Sequence, residues 1–78
     1  MTLEEIIKKE QKNRYEGGIF GIKACKESIK WELKMSEKFN QCKTLFTILE
    51  QYVKRANEDI FFNKTMVLAC WELINGNE

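Results

Sequence analysis

The longest hydrophobic pattern in the chain runs from Trp31 to Val53. Trp31, Met35, Phe39, Cys42, Phe46, Leu49 and Val53 follow one another at spacings of 4, 4, 3, 4, 3 and 4. Residues three and four apart share a face of an α-helix, so the spacing predicts one helical seam. At about 100° per residue, all seven fall within a sector roughly 80° wide. No proline or glycine interrupts it. A second stripe, Ile22, Cys25, Ile29 and Leu33, accompanies the first half and places the helix start near Ile22. Beyond Phe39 the flank of the seam passes to Leu45, Ile48, Tyr52 and Ala56. The pattern is read as one long helix over about 22–56. At 1.5 Å per residue it would reach about 50 Å, longer than a chain of this size is wide when compact. Either it breaks near Asn40-Gln41, or it stays whole and a second copy covers its length. The unbroken seam favours the whole helix.

Shorter patterns flank it. Thr2-Leu3-Glu4-Glu5 is a capping box: the Thr2 hydroxyl can accept from the Glu5 amide while the Glu5 side chain reaches back. Leu3, Ile6 and Ile7 form an apolar edge, and residues 8–14 are wholly polar, which predicts a short helix from Leu3 to Arg14, apolar only in its first half. Tyr15-Glu16-Gly17-Gly18-Ile19-Phe20-Gly21 is the glycine-rich stretch. It lacks the spacing of a phosphate-binding loop and reads as a helix terminator and chain reversal. Near the other end, Asn57-Glu58-Asp59 reads as a turn and helix start, and Asn75-Gly76 as a stop. Between them, residues 60–74 are apolar on most sides, which predicts a helix buried on most sides.

The expected fold is therefore all-α, one small domain over 1–78. Three helices are expected: the long central one, a short N-terminal one and a highly apolar C-terminal one. Two neighbours within one chain cannot easily cover such a C-terminal helix. That is the main argument for a partner, with a homodimer expected. Trp31 and Trp71 are expected to pack the long helix against the last one.

Composition narrows the function. The chain has 78 residues and a net charge of +1, so nothing global draws it to nucleic acid or an anionic membrane. Lysines number 11 against 2 arginines, and scarce arginine lowers the odds of base-specific readout. Together with the small size, the Lys, Asn and Ile content hints at a bacterial or phage source. The cysteines, Cys25, Cys42 and Cys70, lie among apolar residues with no Cys-x-x-Cys spacing. They read as free, buried thiols in a reducing compartment, which implies a cytoplasmic protein. No stretch resembles a signal peptide or membrane span, and no cofactor or metal is expected.

Catalysis is not expected. The chain has no histidine and one aspartate, which removes Ser-His-Asp, Cys-His and histidine-based metal chemistry within one chain. Glu32 and Glu72 stand out because each lies near apolar neighbours. They read as edge residues paired with lysine or as polar specificity elements at a helix–helix contact. The expected function is a non-catalytic protein–protein interaction module, such as a small adaptor or inhibitor. Its apolar contact candidates are Tyr15, Ile19, Phe20, Phe61 and Leu68. A basic stripe, Lys23, Lys26, Lys30, Lys34 and Lys38, runs along the central helix at spacings of 3, 4, 4 and 4. It supplies the alternative, a sequence-independent nucleic-acid binder that would lose affinity with salt.

Overall fold

A computed structural model describes residues 1–76. Among them the chain forms four helices, α1 (Leu3–Lys12), α2 (Ile22–Lys38), α3 (Leu45–Glu58) and α4 (Thr65–Ile74), and no strand. The all-α expectation holds. The long central helix does not: it is two helices, α2 and α3.

The break has a local cause. α2 ends in a Schellman motif, in which the Gln41 amide reaches back to the Ser36 carbonyl (2.8 Å) and the Asn40 amide to the Glu37 carbonyl (3.1 Å). Asn40 adopts φ 56°, a left-handed conformation that asparagine tolerates better than most residues. The buried Ser36 hydroxyl then donates to the Gln41 carbonyl (2.5 Å) and accepts from the Lys43 amide (3.3 Å), fixing the exit of the chain. α3 restarts at once under a Thr44/Thr47 box: the Thr47 amide donates to Thr44 Oγ1 (3.3 Å) and the Thr44 amide to Thr47 Oγ1 (2.9 Å). The hydrophobic spacing runs across this corner because seam residues lie on both sides of it, so periodicity alone cannot register the turn.

α1 begins with the expected capping box: the Glu5 amide donates to Thr2 Oγ1 (3.3 Å) and the Thr2 amide to Glu5 Oε1 (3.1 Å). The glycine stretch is the expected reversal, with Gly18 at φ 80° and the Ile22 amide closing the loop onto the Tyr15 carbonyl (2.7 Å). A Cβ at Gly21 would lie 2.2 Å from the Gly17 carbonyl oxygen, so that close approach requires glycine. The C-terminal helix is shorter than the expected 60–74. Asn57 is not its cap; it lies in the last turn of α3 and donates to the Val53 carbonyl (3.0 Å). Ile60, Phe61 and Phe62 belong to the connecting loop, and Asn63 Oδ1 accepts from the Thr65 amide (3.1 Å) where α4 begins.

α4 is the centre of the bundle. α1, α2 and α3 all pack on it, and Val67, Leu68, Ala69 and Cys70 are each 0% exposed. Ile6 and Ile7 approach from α1, Ile22, Cys25 and Ile29 from α2, and Ile48, Leu49, Tyr52 and Ala56 from α3. The break at Asn40 is what makes this possible. One long helix becomes two neighbours, and with α1 they surround α4 within dimensions of 36 × 25 × 23 Å. The chain thus buries one face of α4 by itself and leaves Met66, Trp71, Leu73 and Ile74 half-buried, and Leu68 is core, not contact surface.

Candidate interaction surface

The basic stripe is not one surface. Lys26 is buried, 7% exposed, with its ammonium 2.9 Å from Glu72 Oε1 on α4. Arg14, in the loop after α1, also bonds Glu72 and links it to Glu16. This cluster joins the first loop, α2 and α4, and the Arg14 bond holds the exposed Glu16 carboxyl below the usual carboxylate range. Lys30 lies 3.7 Å from Glu27. Lys23, Lys34 and Lys38 remain exposed along α2. Lys34 sits over the Trp31 ring (5.5 Å to the centroid) and Lys38 over the Phe39 ring (6.0 Å).

Glu32, the other glutamate singled out, is structural. Glu32 on α2 accepts from the Tyr52 hydroxyl on α3 (2.7 Å) and from Lys43 (3.2 Å). Burial, with the Glu32 bond behind it, pushes the Tyr52 hydroxyl well above its usual pKa. Burial also raises the Cys25 thiol, and Cys70 to about 11. Cys42, expected to be buried, is exposed at the α2–α3 corner. No buried side-chain nitrogen or oxygen among the described residues lacks a hydrogen-bond partner. Nor do they contain a group of three or more His, Cys, Asp or Glu side chains placed to hold a metal ion.

What remains is apolar surface, in two places. The first is the seam. α2 carries two apolar stripes, and the fold buries only one, Ile22, Cys25 and Ile29 with Leu33 half-buried behind them. The other lies mostly outside: Trp31 and Phe39 are each 61% exposed and Met35 between them is half-buried, while Phe46, 65% exposed on α3, lies in a separate hollow with Leu3, Leu49 and Val53. Trp31, Met35, Lys34, Glu37 and Lys38 line an open hollow of about 560 Å³. Trp31 thus stands mostly outside, contrary to the expectation that it packs the long helix against the last one. Trp71 is half-buried and lines a shallow groove with Leu3 and Ile7.

The second place is one end of the bundle. Asn63 Nδ2 donates to the Phe20 carbonyl (3.2 Å) and approaches Cys25 Sγ (3.6 Å), so the α1–α2 loop and the α3–α4 loop meet there. Each loop displays an Ile-Phe pair. Ile19 and Phe20 are 82% and 65% exposed, and Ile60 and Phe61 are 84% and 89%. Tyr15 is exposed in the first loop as well. Sequence reasoning had named Tyr15, Ile19, Phe20 and Phe61. Ile60 is not among the expected contacts; the Asn57-Glu58-Asp59 cluster, expected to start the last helix, ends α3 instead and leaves both Ile60 and Phe61 in a loop.

No helix among the described residues is long and apolar enough to cross a membrane. No family model matches the chain, and neither a curated protein nor a solved structure matches it.

Proposed function

We propose that this chain is a non-catalytic protein-interaction module whose contact surface is the outward stripe of α2, Trp31, Met35 and Phe39, with Lys34 and Lys38 along its edge. The reading rests on one observation: α2 has two apolar stripes, and the bundle uses one. Large apolar side chains left outside and rimmed by polar groups are the ordinary mark of a docking face. Their spacing of four matches the anchors by which one helix lies along another. The two lysines set a preference for a partner segment with acidic side chains beside its apolar ones.

The nucleic-acid reading loses support from Lys26, which is turned into the bundle, and from Lys30, which is paired with Glu27. Lys23, Lys34 and Lys38 would release few counterions, so any phosphate binding through them would be weak at physiological salt.

The test is a photo-crosslinking residue placed at Trp31 or Phe39, with Gln51 on the exposed side of α3 as control, in cells that express the protein. Discrete protein adducts at the first two positions and none at the third are expected. Equal labelling at all three, or adducts consisting of nucleic acid, would overturn the reading. Purified protein should show no salt-sensitive binding to a short oligothymidylate at moderate salt.

A further inference from the structure

We propose that the apolar end of the bundle is a self-association surface, on which a second copy of this chain docks across a two-fold axis. Ile19-Phe20 of each copy then meets Ile60-Phe61 of the other. Three observations carry this.

The first is area. Phe20 and Phe61, 65% and 89% exposed, present about 300 Å² between them. With Ile19 and Ile60 the end reaches on the order of 600 Å², as large as the largest apolar patch of a typical monomer. A standard interface takes about 800 Å² from each partner, so this patch with its polar rim suffices.

The second is symmetry. A two-fold interface brings a surface against itself, so residue i on one copy meets residue j on the other, and j meets i. The two loops display the same dipeptide and are flanked by charges of opposite sign. Arg14 offsets Glu16 within the first loop and Lys64 offsets Asp59 within the second, which leaves Lys23 beside the first and Glu58 beside the second. Arg55, one turn earlier, lies over the Phe62 ring (4.7 Å). First loop against second loop, twice, sets each rim against its opposite. First loop against first loop would not.

The third is the placement of two of those charges. Lys23 lies in the first turn of α2, a turn with no acidic residue, and Glu58 is the last residue of α3. A cation at a helix N-terminus and an anion at a C-terminus both oppose the helix dipole. Neither residue lies within ion-pair distance of an opposite charge among the described residues, although Lys23 acts on Glu16 at longer range. The helix dipoles by themselves favour the opposite signs, whereas across the two-fold axis the present signs attract.

The experiment is molar mass by light scattering over a dilution series from about 1 mM downward, at low and moderate salt. Wild type is expected to approach twice the 9.3 kDa monomer. Phe20→Ser/Phe61→Ser should be monomeric throughout with unchanged circular dichroism, and Trp31→Ser/Phe39→Ser should dimerise like wild type. Lys23→Glu and Glu58→Lys should each weaken the dimer by roughly tenfold or more. Mixed in equal amounts, the two should form a heterodimer, because each then presents the sign the other lacks at both contacts. A wild type that stays monomeric at the highest concentration would overturn the proposal. So would a dimer lost with Trp31 and Phe39 but not with Phe20 and Phe61. Two charge variants that dissociate alone and do not associate on mixing would rule out the loop-to-loop arrangement.

Discussion

The Lys26 ammonium lies 2.9 Å from Glu72 Oε1, and both side chains are buried, 9% and 5% exposed. A lysine that shares its spacing with four others on α2 is thereby part of the contact between α2 and α4. Removing the carboxylate takes away the ion pair that the buried ammonium makes with α4, and losing one charge of a buried pair costs far more than the pair contributes. Glu72→Ala is expected to destabilise the fold by about 3 kcal/mol. Lys26→Met/Glu72→Leu should recover most of that, with Arg14, which is 38% exposed, turning to solvent. Urea denaturation of the single and double variants checks this. A double variant as unstable as Glu72→Ala would show that the charges themselves hold α2 on α4.

Asn40 decides where α2 stops. Replacing it by glycine keeps the left-handed conformation accessible and should change stability by no more than a few tenths of a kcal/mol. Asn40→Val introduces a branched side chain at φ 56° and should cost about 1–2 kcal/mol. Thermal melts of the two variants separate these outcomes. If valine were tolerated as well as glycine, the corner would not depend on that residue.

Trp31 and Leu68 exchange the roles their patterns suggest. Trp31→Ser removes a side chain that is 61% exposed and should alter stability by less than about 0.5 kcal/mol. Leu68→Ala opens a hole where exposure is 0% and should cost about 2–5 kcal/mol. Chemical denaturation would reveal a core role for Trp31 if its loss cost as much as that of Leu68.

The three thiols should differ in reactivity. A disulfide reagent near pH 8 should modify the exposed Cys42 first and reach Cys25 and Cys70 only as the protein opens. The order is read by mass spectrometry of partially labelled protein.

Alkali should weaken the fold through Cys70. Its folded pKa, about 11, lies above the ordinary value of 9.0 because burial penalises the thiolate. The unfolded chain therefore releases that proton first. The contribution is complete below pH 9 and is lost as pH rises toward 11. The raised Tyr52 hydroxyl acts in the same direction. Denaturation midpoints should fall across this range, and less steeply in Cys70→Ala. An identical slope in that variant would exclude the thiol.

The sequence by itself determined the helical class, the α1 capping box, the glycine reversal and the end of α4 at Asn75-Gly76. These are local: a hydroxyl, a short side chain or a missing Cβ acts on the backbone within a few residues. It also marked Tyr15, Ile19 and Phe20 as apolar residues of a loop, but whether they fold onto the core or face outward was decided only by the tertiary structure, which exposes all three. Only the tertiary structure decided the helix count, and the physical reason is the corner at Asn40. Periodicity reports which residues share a face while the chain stays helical, and it carries no mark where one asparagine turns left-handed. Once the seam bends, α2 and α3 both lie against α4. Then Lys26 meets Glu72 and Leu68 disappears into the core. Trp31, Phe39 and Phe46 are left in the open because an apolar stripe is buried only if the folded chain places a helix opposite it.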